Sequence, residues 1–266
     1  ASSNKKQGSD EIIKANGLQA LFALFEKSND LEVKAQCLWT LSNISQDTQE
    51  NRNKIIATGI YPKIIDFYYQ VGFDIANSDL LLTVVWSLTN LHSVKYNPLN
   101  NAQSSHALTV FKTMFFHVND SIKLEALKGL CAISEQKNFV VLLVNLIPDL
   151  VSIIDGSNKL HMKEALRIVG NIAYSNEASH LMQSTLMDSL KKLLGSKEEY
   201  FLKECAWIFS NIAADGFINE LLEADIYPRI LVLLTHKNLK IRRESIYVIS
   251  NSTKNGDCEQ IKQLVL

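Results

Sequence analysis

Apolar positions along this chain recur at helical spacing. Leu18, Leu21, Phe22, Leu24 and Phe25 form one stripe, the polar run Glu26 to Asp30 breaks it, and a longer apolar stripe follows. This succession of short stripe, polar break and long stripe returns down the chain. No segment alternates with period two between turn signals, so the pattern predicts helices throughout and no sheet.

The long stripes are copies of one another. Glu204 to Asn211 reads ECAWIFSN, Glu164 to Asn171 reads EALRIVGN, and Glu244 to Asn251 reads ESIYVISN. Gln36 to Asn43 (QCLWTLSN) and Thr83 to Asn90 (TVVWSLTN) match after a changed first residue, and Glu125 to Ala132 (EALKGLCA) keeps only the frame. The anchor positions 39, 86, 128, 167, 207 and 247 are spaced by 47, 42, 39, 40 and 40 residues, the size class of armadillo or HEAT repeats. A second marker fixes the frame. Pro62, Pro148 and Pro228 sit in the related segments GIYPKII, LIPDLV and DIYPRIL, where proline suits the first helical turn. From there to the anchor is 19 residues at Pro148 and at Pro228, and 24 at Pro62; the extra residues fall in the loop-like stretch Gln70 to Ser78. One such unit cannot bury its own apolar face, whereas stacked units share a continuous core. The expectation is an all-α solenoid of about six three-helix repeats forming one domain over residues 10–266, behind a flexible lead-in at 1–9, with the last nine residues opening a further helix.

Composition narrows the function classes. The 266 residues carry 27 Lys+Arg against 28 Asp+Glu, a formal charge of −1, which argues against wrapping nucleic acid or lying on anionic lipid. No apolar run approaches the roughly 20 residues of a span. The four cysteines and six histidines are scattered without metal-ligand spacing, and phosphate-cradling glycine loops and nucleophile elbows are absent. Neither an enzyme nor a metal or cofactor site is expected.

Residues four apart share a helix face. Trp39 with Asn43, Trp86 with Asn90 and Trp207 with Asn211 therefore project together, and these are the three tryptophans of the chain. One reading makes each Trp core and each Asn a brace to a neighbouring repeat. The other is a ladder. Indole faces accept the aliphatic stems of long cationic side chains, with cation–π attraction of roughly 0.5–2 kcal/mol each. Asn amides pair with the backbone of an extended peptide, and nearby acids pair with its cationic heads. Asp47 and Asp215 lie eight after an anchor, and Glu125, Glu164, Glu204 and Glu244 lie three before one. A single Glu there is usually a solvated surface charge; four in one register suit a shared face.

Armadillo repeats carrying W-x-x-x-N on the third helix resemble importin-α (karyopherin-α), the adaptor for nuclear localisation signals. The likeness runs from about Gly17 to the C-terminus and includes the segment around Arg167, similar to the family's repeat with Arg in place of Trp, and the Asn97-Pro98 loop after Asn90. The array order resembles armadillo repeats three to eight. The resemblance implies a right-handed superhelix that shuttles between cytoplasm and nucleus and binds Lys/Arg-rich peptides in its groove. It implies a major site of Gln36, Trp39, Asn43, Asp47, Trp86, Asn90 and Glu125. It implies a minor site of Arg167, Asn171, Trp207, Ser210, Asn211, Glu244, Tyr247 and Asn251. It further implies that importin-β binds only through a basic N-terminal segment, which this chain lacks; residues 1–9 hold two basic residues, Lys5 and Lys6. Ser93, Lys128 and Ala132 depart from the family pattern, and Lys128 places a cation beside the groove. An armadillo scaffold binding another protein partner is the alternative reading.

Overall fold

The computed structural model describes residues 2–183 and 185–265, with the side chains of 2–7, 183 and 265 outside the description. The chain divides into two compact units, residues 1–133 and 134–266. The described residues are helical with no strand. The first unit contains α1 (Ser2–Lys14), α2 (Gly17–Lys27), α3 (Leu31–Ser45), α4 (Gln49–Ala57), α5 (Ile60–Val71), α6 (Ser78–Leu91) and α7 (Asn101–Met114), and ends with α8 (Asp120–Ser134). The second contains α9 (Lys137–Val140), α10 (Ile147–Ile154), α11 (Lys159–Tyr174), α12 (Leu186–Leu193), α13 (Glu199–Ala214), α14 (Ile218–Glu223), α15 (Tyr227–Leu233), α16 (Leu239–Asn255) and α17 (Cys258–Val265). Short 3-10 turns occupy Ile75–Asn77, Val141–Leu146 and Ala178–Gln183.

The six anchors all lie on third helices: α3, α6, α8, α11, α13 and α16. Each of these helices begins one residue after the position nine before its anchor. At Asp30, Asn119, Asn158 and Asn238 that position carries a side chain that accepts backbone N–H groups of the first turn, a capping contribution of about 1 kcal/mol each. The residues one before, two after and five after the anchor are sealed: Leu38, Leu41 and Ile44 in α3, Val85, Leu88 and Leu91 in α6, Leu166, Val169 and Ile172 in α11. Burying each such aliphatic side chain contributes about 1.5–3 kcal/mol. Because this stripe is held in the core, the anchor and the residue four after it are turned away from the deepest part of it. Pro148 and Pro228 sit at the first or second helical position of α10 and α15, and Pro62 in the first turn of α5.

Three features differ from the expected pattern. The stretch read as a lead-in is helical from Ser2, and α1 supplies the first helix of the first repeat. The third repeat has no first helix. Residues 92–100 run there without one, as befits a segment in which Pro98 pushes Asn97 toward extended backbone. Arg52 of α4 pins that segment: its Nη1 donates to Leu91 O (3.3 Å) and Asn97 O (2.8 Å), and its guanidinium lies 5.2 Å from the Tyr96 ring centre. The stretch Lys137–Ile154 is apolar and long enough, by composition, to cross a membrane. Its apolar residues Phe139, Val140, Leu143, Leu146, Leu150 and Ile154 are buried, as core of the fourth repeat.

Candidate functional site

The first unit brings three residues of the expected major site to one cleft. Trp39 of α3, Trp86 of α6 and Glu125 of α8 line one cleft of about 310 Å³, with Leu82 and Leu124 as apolar wall. Trp39 is 50% exposed and Trp86 half-buried, so both indoles have a face in contact with the cleft or solvent. Glu125 is largely sheltered, and Lys128, one turn on, reaches back to it at 2.7 Å. The slot's carboxylate therefore already has a cation from its own helix.

The Asn amides are partly engaged at home. Asn90 Nδ2 donates to Ser42 Oγ on α3 (3.0 Å), and Gln46 Nε2 donates to Asn90 O (2.6 Å), so α3 and α6 are braced along this face. Asn43 Nδ2 donates to Trp39 O of its own helix (3.1 Å), while Gln36 is exposed with no bond through its side chain among those described. Each amide keeps a second N–H and its Oδ1 for a ligand. Asp47 sits apart from the indoles. Its carboxylate accepts from the Ser9 hydroxyl of α1, tying it to the first helix of its own repeat. Asp215 behaves alike: the backbone N–H of Ala178 donates to it, and burial pushes its carboxyl up from the usual range.

In the second unit Trp207 is the centre. Gly170 of α11 lets the indole lie directly on that helix, since a Cβ at 170 would overlap the ring. The Arg167 guanidinium covers the same tryptophan, 4.7 Å from the ring centre. Arg167 also approaches Glu204 (Nη1–Oε2, 3.5 Å) and Glu135 (Nη2–Oε1, 3.9 Å). Glu204 is fully buried. Lys203 pairs with its Oε1 at 2.6 Å, and its Oε2 lacks a hydrogen bond. Asn171 donates to Ser134 Oγ (2.7 Å), and Asn251 to Ser210 O (2.8 Å), the latter linking α16 to α13. Ser210 is buried with its hydroxyl on Trp207 O. Asn211 Nδ2 is shielded from solvent and finds no acceptor. Glu244 is buried beneath Arg243 (3.0 Å), and Tyr247 is 48% exposed.

Three of the four acids three before the anchors, Glu125, Glu204 and Glu244, are thus met by cations of their own helices, Lys128, Lys203 and Arg243. Lys128 stands at an anchor of the frame, whereas Lys203 and Arg243 do not; reading the positions next to each Glu would have found these two. Among the described residues no group of His, Cys, Asp and Glu is arranged to hold a metal ion.

Residues 5–46, spanning most of α1 and all of α2 and α3, match the Armadillo/beta-catenin-like repeat family. The chain is 27% identical over 194 residues to the probable importin subunit alpha-A of Dictyostelium discoideum, covering 65% of this chain and 34% of that protein. It is 26% identical over 171 residues to importin subunit alpha-1b of Oryza sativa subsp. japonica, covering 63% and 31%. It spans about a third of the length of these curated relatives. A designed armadillo repeat protein in complex with the peptide (KR)4 superposes with a TM-score of 0.73 at 22% identity, over 88% of this chain and 98% of that one. An engineered protein superposes with a TM-score of 0.83 at 22% identity, over 97% and 63%. The likeness to the designed armadillo repeat protein establishes the armadillo fold.

Proposed function

We propose that this armadillo-fold chain, similar to importin α subunits, binds Lys/Arg-rich peptides in extended form along its third helices, as a nuclear-import adaptor. One observation carries the reading: Trp39, Trp86 and Glu125 converge on one cleft. Two indole faces and a carboxylate form a receptor for a long cationic side chain, with the aliphatic stem between the rings and the head toward the acid. Asn43 and Asn90, one turn on from Trp39 and Trp86 on the same helices, keep acceptor capacity in their amides for a peptide backbone. The chain acts as a binding scaffold rather than an enzyme, and shuttling between cytoplasm and nucleus follows from that role.

The second unit offers a weaker counterpart. Buried Glu204 Oε2 and Asn211 Nδ2 both lack a hydrogen bond, which favours a ligand beside Trp207, but Arg167 lies 3.5 Å from that oxygen and covers the indole. A bound cation has to displace or stack outside that guanidinium. The (KR)4 peptide held by the designed armadillo protein is the same class of ligand. The chain's own cations at Lys128, Arg167, Lys203 and Arg243 favour a second reading, an armadillo scaffold whose protein partner is not purely basic.

Titration of intrinsic Trp fluorescence with a Lys/Arg-rich peptide and a charge-reversed control decides between them. The basic peptide is expected to bind, more weakly as salt rises. No signal change, or affinity no tighter than millimolar, overturns the adaptor reading; preference for the charge-reversed peptide establishes the second.

A further inference from the structure

The second unit holds another cleft, of about 250 Å³, in which two cations stand on aromatic rings. On one wall Lys137 Nζ lies 5.1 Å from the centre of the Tyr174 ring. On the other Arg167 lies 4.7 Å from the centre of Trp207. Asn171 lies between them, its Nδ2 holding Ser134. Such stacking fixes the long side chains over apolar surface and leaves their N–H groups pointing at the space between.

The charge balance of this cleft favours an anion. Lys137 has no carboxylate within ion-pair distance among the described residues. Arg167 has two, but at 3.5 and 3.9 Å neither is a hydrogen bond, and the nearer one, Glu204, already carries Lys203 at 2.6 Å. Glu135 is the one carboxylate lining the cleft, against the two cations. Three ammonium donors, the guanidinium fork and the second N–H of Asn171 are more donors than the lining acceptors consume.

We propose that this cleft, formed by Lys137, Tyr174, Arg167 and Asn171, binds an acidic side chain, carboxylate or phosphate, carried by the same peptide whose basic residues engage the indoles. The assignment rests on the peptide-binding reading. A ligand of mixed charge then fits better than a uniformly basic one, and the anion draws Arg167 off Trp207, opening the indole face to a cation. A phosphorylated serine supplies more charge and more acceptors than Glu and is the stronger ligand of the two.

The test uses three peptides that share one Lys/Arg-rich run and carry, on either flank, alanines, glutamates or a phosphoserine. Their affinities are measured on the whole chain and on Lys137→Ala and Lys137→Arg. Lys137 is exposed, so neither change threatens folding. Glutamate is expected to tighten binding by about two- to fivefold over alanine, the range of a partly exposed ion pair, and phosphoserine by more. Lys137→Ala removes this gain without weakening the alanine peptide, and Lys137→Arg retains it. Inorganic phosphate is the control for source: it should compete with the phosphoserine gain only at high concentration, and tight binding of phosphate alone, with no gain from the peptides, overturns the peptide assignment. If the alanine peptide binds and the anion adds nothing, this inference fails alone. If the alanine peptide does not bind, the peptide reading fails and takes this inference with it.

Discussion

Gly170 and Trp207 are a fitted pair: the indole of α13 lies where a side chain at 170 on α11 would be. Two opposing effects act on Gly170→Ala. Alanine in a helix interior gains about 1 kcal/mol over glycine, whereas forcing a methyl group into a filled contact costs about 1–3 kcal/mol. The overlap is with a rigid ring, so the second effect wins. Gly170→Ala is expected to lower the urea midpoint, with a net loss of roughly 1 kcal/mol, and to shift Trp207 emission. In the background of Trp207→Leu the same change should become neutral or stabilising, and a double-mutant cycle reads the coupling.

The three tryptophans should separate by role. Trp39 is half exposed, so Trp39→Ala is expected to reduce affinity for a basic peptide by about 1–3 kcal/mol while leaving the unfolding midpoint nearly unchanged. Trp207→Ala opens a space against Gly170 and releases Arg167 from its ring, so it should lower stability as well. Calorimetric titration alongside thermal unfolding of both variants checks this; an equal stability loss for Trp39→Ala would mean that its ring is core.

In the proposed peptide-binding role, Lys128 competes with the ligand's cation for Glu125, with which it pairs at 2.7 Å. Lys128→Gln frees the carboxylate and removes a like charge from the slot, so affinity for a basic peptide should rise by roughly two- to fivefold, the scale of one partly exposed pair. The gain should vanish in Glu125→Gln. A fall in affinity for Lys128→Gln would show that the ligand does not reach this turn.

Acid should destabilise the first unit through His92. The imidazole is buried between Tyr61 and Phe111, and its Nε2 lies 2.7 Å from the Tyr61 hydroxyl, whose own proton goes to Gln103 O. Nε2 therefore carries the hydrogen and the ring is neutral. Burial, aided by the nearby Arg52 charge, pushes its pKa down from 6.5 to about 3. The unfolded chain binds this proton near pH 6.5 and the native chain only near pH 3, so the stabilisation is complete above pH 6.5. It is lost progressively as pH falls toward 3, on the order of a few kcal/mol at most. Unfolding midpoints of the native chain and of His92→Gln, compared between pH 7 and pH 4, should converge as pH falls.

By itself the sequence determined the repeat and its phase. Apolar residues at fixed offsets from each anchor can be sealed only if the third helices lie between neighbours, and this local periodicity placed all six anchors on α3, α6, α8, α11, α13 and α16. It also placed the prolines in first turns and a break between α5 and α6, though the break is shorter than the expected 70–78, since α5 runs to Val71 and α6 starts at Ser78. It did not foretell α1, since Ser2 to Gly8 has no apolar stripe to signal a helix. Nor did it foretell the missing first helix of the third repeat, which depends on Arg52 binding carbonyls about 40 residues away. The state of the candidate sites belonged wholly to tertiary structure. Periodicity gives the direction in which Arg167, Asn90 or Asp47 leaves its helix. What each meets there, the Trp207 ring, Ser42 or Ser9, is set by the spacing of helices whose residues are 38 to 48 positions apart in the chain.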